Sequence, residues 1–450
     1  MKKEAEERHR QARGLLAEKD FHGLKSCIAK WHPNDVAGFL ERLKHNDRVI
    51  VFRLLDKGKA SDVFSEMGAG KRARLLKSMG DEHNRQLLSG LSPDDRTSLF
   101  EELPGEVARE LLDRLPDEVR RETLNLLGYP KDSVGRLMTP KYITLDPDWT
   151  AAEALSHIQH NAWDAEIINW VYAVDKERHL LEDMPIRRLI LAKPKQKVRS
   201  LFDGNRVFVS AFDDQEVAVE KAKKYNMFAL PVVDSDNVLV GIVTLDDLMD
   251  VADKEFTEDA HLAGSVSPLK ADYMEVSPWK LYGNRVVWLV FLAIAGFFAA
   301  TVIAGFEEPL KAVVALAFFI PILIGSGGNT GIQSATLVLR ALATNDLTSE
   351  KWLEVLKKEL VVGLLLGATL GLVLFGMAFM LIGDVHIGFV LALSTMIIIL
   401  WANLAGCLLP IALTKMRLDP AVVSSPLITT LIDVFGLFIY FSIAVWWLAL

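Results

Sequence analysis

The sequence predicts a multidomain membrane protein. An α-superhelical N-terminal domain leads into a pair of small α/β modules, followed by an all-α bundle of five transmembrane helices, with two chains per molecule. Three observations carry this reading. An apolar residue recurs every twelve positions through the first 130 residues. Two stretches then switch to a strand–helix pattern. Apolar runs long enough to cross a bilayer occur only in the second half of the 450-residue chain. The predicted domains are 1–130, 131–260, a linker helix over 261–284, and a membrane domain over 285–450.

Charge separates the halves. The formal charge is −8, and the residues from Trp279 onward hold nine Lys/Arg against nine Asp/Glu. The whole excess of acid therefore lies before the spans. An acidic domain of this kind excludes a nucleic-acid partner and suits cations. The start, MKKEAEERHRQARG, has no apolar core, so no cleaved signal is expected and the first half should stay in the cytosol. Cys27 and Cys407 have neither metal-ligand spacing nor the density of a disulfide framework.

In the N-terminal domain, every twelfth residue from Trp31 is apolar: Leu43, Leu55, Met67, Met79, Leu91, Leu103, Leu115 and Leu127. Turn or capping stretches such as HPND, SPDD and PGEV follow most of them. Pro near the start and acid in the first turn mark helix N-termini. Each unit therefore reads as a turn plus a helix of about two turns, too short to stand alone and stable when stacked. Such a domain serves as a scaffold. Its acidic turn residues, Asp62, Asp94 and Asp95, are also candidates to face another domain and help bind a cation.

The second α/β module reads most clearly. RVFVSAFDDQEVAVEKAKKYNMFALPVVDSDNVLVGIVTLDDLMDVAD (206–253) gives strand, helix, strand, turn, strand, helix. It resembles a CBS domain, and with the stretch from LMTPKYITL onward it resembles a CBS tandem. In nucleotide-binding members, the Thr and first Asp of a motif like GIVTLDD hold a ribose. That resemblance points to Thr244 and Asp246 and to ATP as a regulator. The first module lacks the matching ending. A purely structural, dimerising role is the other reading.

An acidic run follows. Asp246, Asp247, Asp250, Asp253, Glu255, Glu258 and Asp259 fall within fourteen residues. Such a run is often a solvated helix face. Like charges at helical spacing repel, however, and a hard divalent cation relieves that repulsion through carboxylate oxygens.

Five apolar spans are expected: Val286–Gly305, Ala312–Leu339, Leu360–Gly383, Val385–Thr414 and Ala421–Leu450. Arg340, Lys351, Lys357, Lys358, Lys415 and Arg417 lie in the loops on the N-terminal side, and GDVH on the other side has no Lys or Arg. Basic loops inside put the N-terminus in the cytosol and the C-terminus outside. Asp433 is the only charge after Asp419. A charge at that depth needs water, protein or an ion, and no Lys or Arg lies inside the expected spans to pair with it. Asp433 is thus expected to face a cation pathway.

GSGGNTG (325–331) in the second span would let a helix break and offer carbonyls and Asn329 to that pathway. The same small residues also suit close helix packing. One Asp does not neutralise a divalent ion, but two do. Five spans leave no room for two equal repeats. A homodimer with Asp433 from each chain near the axis follows.

The whole chain resembles the MgtE family of magnesium channels and transporters. The resemblance rests on PILIGSGGNTGIQSATLVLRALAT (321–344), LDPAVVSSPLITTLIDVFGLFIYF (418–441), GIVTLDDLMDV and EFTEDAHLAG. It implies a dimeric Mg²⁺ pore in a cell membrane with Asp433 as pore ligand. It also implies closure by Mg²⁺ at Asp247, Asp250, Glu255, Glu258, Asp259, Asp214, Glu216 and Asp419, with Asp62 and Asp94 in the N domain. Two residues depart from the family pattern: Asn226 where acid is frequent, and Ser425. No nucleophile–base set or P-loop is present, so no enzyme is expected. A nucleotide-regulated anion carrier and a membrane-tethered signalling protein are the alternatives. The first conflicts with Asp433, and the second gives GSGGNTG no purpose.

Overall fold

A computed structural model describes every residue except Met1, 270–272, Glu275, Asn345, 348–350, Arg417, 421–424 and Leu450. It divides into two compact units, Met1–Glu255 and Phe256–Leu450.

In the first unit the apolar beat becomes a run of helices starting at residues 21, 33, 45, 57, 69, 81, 93, 105 and 117, one every twelve. The beat residues Trp31, Leu43, Met67, Met79, Leu91, Leu103 and Leu115 are buried in one continuous core. Helices this short leave up to half of their carbonyls without an intrahelical partner. A buried polar side chain solves this at the fourth residue of several units. Arg48 donates to the carbonyls of Leu40 and Leu43, both at 2.9 Å. Asn84 donates to Leu76 at 3.0 Å. Arg96, 2% exposed, donates to Leu91 at 3.1 Å and to Thr123 Oγ1 at 2.7 Å, and it pairs with Glu122. Arg72 lies on the same beat and holds Glu102 through two 2.7 Å bonds. The period is therefore set by carbonyl capping as well as by apolar packing.

The two α/β modules follow as expected. Strands β1 (Thr144–Leu145), β2 (Trp170–Val174) and β3 (Leu180–Pro185) form one sheet in that order. Strands β4 (Val209–Ser210), β5 (Ala229–Val233) and β6 (Leu239–Thr244) form the other. In each, the first pair is parallel and the second antiparallel, with a register shift one residue before the strand end, at Ala173/Val174 and Val232/Val233. The sheets share a core of Tyr172, Leu180, Ala229, Val233, Leu239 and Ile242. After β6 the chain enters an exit helix, Leu245–Ala263. Of the stretch expected as a linker helix, 261–284, the start ends this helix and the part from Pro278 begins the first span; the described residues between are turn and coil.

The second unit holds five helices long and apolar enough to cross a membrane: Pro278–Gly305, Ala315–Ala343, Trp352–Ile382, Val385–Lys415 and Ser425–Leu448, here spans one to five. Span three begins eight residues earlier than the charge-free run suggested, so it takes in Glu359. The expected start of span five at Ala421 lies outside the described residues. GSGGNTG does not break its helix: span two is continuous through it. Its small residues instead admit the neighbouring spans. A Cβ at Gly327 would sit 2.9 Å from methyl groups of Ile398 and Ile432, and one at Gly328 would sit 3.1 Å from Thr429. A Cβ at Gly406 in span four would collide with the Gly331 carbonyl oxygen. Inside a membrane every backbone group needs a partner, so an intact helix with close neighbours satisfies the chain better than an open loop. Tyr440 donates to the Leu316 carbonyl at 2.9 Å while Thr429 packs at Gly328, so spans two and five run antiparallel.

The capping cations give a direct test. Arg96→Ala should lower N-domain stability by roughly 3–5 kcal/mol, since it strands Glu122 and two carbonyls. Hydrogen exchange over residues 81–127 should rise sharply, and unchanged protection would refute the capping account.

Candidate functional site

Two helix N-termini bring acid together in the first unit. Asp94 and Asp95 occupy the first turn of the helix Pro93–Glu102, and Asp246 and Asp247 the first turn of the exit helix. Each helix end tolerates its own carboxylates through its dipole. The pairs face each other where the N-terminal domain meets the second module. There the short helix Val134–Leu137 packs on Pro93–Glu102 and Arg136 Nη1 holds Glu101 Oε1 at 2.5 Å.

The electrostatics are those of crowded anions. Burial, then the nearby Asp95 and Glu166, push Asp94 up to about 7. Burial, then Asp94, push Asp247 up to about 8. Burial first, with Asp250 and Asp95 adding, raises Glu66. Burial also raises Asp250 and Glu166 against the partial relief of Lys254 and Lys141. Asp94 Oδ1 is buried and has no hydrogen-bond partner. Asp247 Oδ2 accepts one bond, from Thr244 Oγ1 at 2.5 Å. Carboxylates so placed share protons or hold a cation.

The structure thus joins Asp94 and Asp95 with Asp246, Asp247 and Asp250, and it adds Glu66 and Glu166. Glu66 and Glu166 were not legible in the sequence. Glu66 is the C-cap of the helix Lys57–Ser65, a position no motif marks. Asp62 is exposed on that same helix, and Glu66, four residues on, is the residue that reaches the cluster. Thr244 is buried and its hydroxyl is engaged by Asp247, while Asp246 belongs to the acidic cluster.

Asp214, Glu216 and Glu255 form a separate group. Asp214 caps the helix Gln215–Tyr225 by accepting from the Glu216 N–H at 2.9 Å. Gln215 Nε2 donates to Glu255 Oε1 at 2.5 Å, which brings that helix start to the exit helix. Asn226 ends the helix with φ of 53°. The left-handed region favours Asn over most residues, which gives this departure a backbone reason. Glu258 and Asp259 are exposed near the end of the exit helix, and Asp419 lies in the non-helical stretch before span five.

In the second unit, Asp433 is partly buried, and its Oδ1 is buried with no partner. The residue before it, Ile432, lies against Gly327 and Gly331. Asn329, Gln333 and Thr336 lie at helical spacing on span two and are exposed in the single chain. A polar stripe of this kind on a membrane helix needs water or another protein surface.

Comparison with known proteins accords with this architecture. The MgtE family profile, described as a divalent cation transporter, matches residues 320–443. The MgtE intracellular N domain matches 31–132, and CBS domains match 134–181 and 198–254. A magnesium transporter MgtE of Thermus thermophilus is 40% identical over 434 residues, covering 95% of this chain and 96% of its own. The chain belongs to the MgtE family. A second MgtE magnesium transporter, from Bacillus subtilis, is 35% identical over 71% of this chain and 70% of its own. Among solved structures, the cytosolic domain of the Mg²⁺ channel MgtE in complex with ATP superimposes with a TM-score of 0.52 at 33% identity. It covers 54% of this chain and 99% of that one. As an MgtE-family member the chain is a membrane transporter with five apolar helices.

The raised carboxylates fix a pH dependence. A carboxylate whose proton is held more tightly in the folded chain favours folding at low pH, and that advantage is lost as pH rises from the ordinary 3.8 through about 8. In EDTA, trypsin should therefore free the N-terminal domain of the full-length protein faster at about pH 8 than at about pH 6. Mg²⁺ should restore protection at the higher pH, and Asp247→Asn should flatten the difference. Protection that grows with pH in EDTA would refute the repulsion.

Proposed function

We propose that this protein conducts Mg²⁺ across a cell membrane as a homodimer, with Asp433 of both chains holding the ion in the pore. Cytosolic Mg²⁺ closes the pore by binding the carboxylates. The observation that carries this reading is Asp433 itself: an ionisable group in an apolar span whose Oδ1 is buried without a partner. A carboxylate there is costly unless an ion or water meets it. Magnesium suits the site because it keeps most of its water and takes only one or two carboxylates. The magnesium transporters of Thermus and Bacillus support the choice of ion.

The exposed polar stripe of Asn329, Gln333 and Thr336 gives the second chain its place. Two such stripes facing one another across a two-fold axis would enclose a hydrated path. The loop charges put the N-terminus in the cytosol and the C-terminus outside.

The cluster around Asp94 and Asp247 supplies the gate. Without cation, its carboxylates repel. Mg²⁺ binds the compact arrangement only and shifts the equilibrium toward it by mass action. Asp214, Glu216 and Glu255 in the first unit, and Glu258, Asp259 and Asp419 in the second, are candidates for further weak sites. ATP is a candidate regulator at the module pair, on the strength of the related cytosolic domain in complex with ATP. Here Thr244 would first have to release Asp247.

In proteoliposomes, Asp433→Ala and Asp433→Asn should abolish Mg²⁺ flux while the dimer still assembles; parental uptake by either would remove the pore assignment. Asp94→Asn combined with Asp247→Asn should keep the pore open at Mg²⁺ concentrations that close the parent. Closure at the parental concentration would move the gate elsewhere.

A further inference from the structure

Span three carries a second carboxylate inside the helical bundle. Glu359 lies seven residues past Trp352, about 10 Å along the helix. Two side chains from other spans meet it. Asn403 of span four, 3% exposed, donates from Nδ2 to Glu359 Oε2 and to the Glu359 backbone carbonyl, both at 2.7 Å. Ser334 of span two, 2% exposed, donates from Oγ to the Asn403 carbonyl at 2.9 Å, with Glu359 Oε2 3.4 Å away. Three spans are thus tied at one point, through the buried Asn403 and Ser334 and the half-buried Glu359.

The surroundings leave this knot little play. A Cβ on Gly363, one turn along span three, would lie 3.4 Å from both Asn403 Cβ and its Nδ2. Gly406, one turn along span four, touches the Gly331 carbonyl. Gly331 is the last residue of GSGGNTG, and a Cβ there would also run into Ile432, the neighbour of Asp433. Span two is therefore gripped by span four at Ser334, Asn403 and Gly406, and the same stretch, at Gly327 and Gly331, carries the contact with Ile432, the residue preceding Asp433. Among the described residues, the Ser334–Asn403 bond is the side-chain hydrogen bond that sets the register of span two against span four at this depth; the other contacts there are steric.

We infer that Glu359 is a positioning residue for conduction. Through Asn403 and Ser334, its carboxylate fixes the height of the GSGGNTG segment against Asp433. It touches neither the ion nor Asp433. This inference rests on the reading that Asp433 marks the pathway. It also specifies what Glu359 does: one oxygen, Oε2, takes the side-chain bonds, so an acceptor is required and the charge is not.

The test is Mg²⁺ flux through the full-length protein in proteoliposomes, measured against Mg²⁺ concentration. Glu359→Leu removes the acceptor and should lower the maximal flux roughly tenfold, the worth of one to two interhelical hydrogen bonds. The half-saturating concentration should stay within about twofold, since the ion site itself is untouched. Glu359→Gln keeps an acceptor oxygen and should conduct within about twofold of the parent. If Glu359→Leu does not accumulate in the membrane, Ser334→Ala carries the test. It deletes only the hydroxyl and should cut maximal flux by about threefold. Parental flux in Glu359→Leu or Ser334→Ala would overturn the inference. So would equal loss in Glu359→Gln and Glu359→Leu, or a shift of half-saturation alone, because either result would put the charge on the ion. Asp433→Ala run alongside separates the two readings: flux through that variant would remove the pathway assignment whatever Glu359 does.

Discussion

The crowding of carboxylates at Asp94 and Asp247 is the constraint that the contact between the N-terminal domain and the second CBS module has to meet. Each carboxylate is acceptable alone, at a helix N-terminus whose dipole favours it. Together, half-buried and ringed by Asp95, Asp246, Asp250, Glu66 and Glu166, they hold protons well into the neutral range. The contact between the N-terminal domain and the second CBS module is therefore built with an electrostatic debt. It persists because Arg136 holds Glu101 and because apolar packing continues beneath it.

In the membrane unit the difficulty is reversed. Polar groups are scarce there, and each must be accounted for. Tyr440 is spent on the Leu316 carbonyl, Ser334 and Asn403 on Glu359 and the backbone. Among the described residues of the spans, Asp433 is the carboxylate that keeps a buried oxygen without a partner; the Ser394 hydroxyl of span four is the other buried oxygen left unpaired. Small residues make this possible, because the close approach of spans two, four and five shuts lipid away from the groups between them.

The broad plan was legible in the sequence, since it rests on periods and on length. A twelve-residue beat, a strand–helix alternation and long apolar runs each reflect local physics, and each reappears in the helices, sheets and spans observed. The GSGGNTG segment was legible only in half. Its composition argues for a break by local propensity, but the unbroken helix reflects neighbours that the sequence does not show. Asp94, Asp247 and Asp250 were readable as candidates because they sit in dense acidic stretches. Glu66 and Glu166 lie outside the dense acidic stretches and join the cluster only through folding. Glu359 escaped notice for a related reason: it lies at the edge of an apolar run, where charge is ordinary, and only the longer helix carries it inward.

The strict step of the N-terminal domain has a consequence for its length. Because capping side chain, beat residue and helix start all recur at twelve, the array counts in whole units. Each cap reaches carbonyls in the unit just before it, so a single inserted residue would carry the cap that spans it off its carbonyls, whereas a complete unit could be added or lost with the stacking intact. The position of such a change matters. Two units, starting at 105 and 117, separate the helix bearing Asp94 from the first CBS module. Growth on the far side of residue 93 lengthens the arm and leaves the acidic contact where it is. Growth between 105 and 127 would bring a different helix to Asp247. The array works as a ruler with its zero at the CBS pair, and the third mark along it decides which acid arrives.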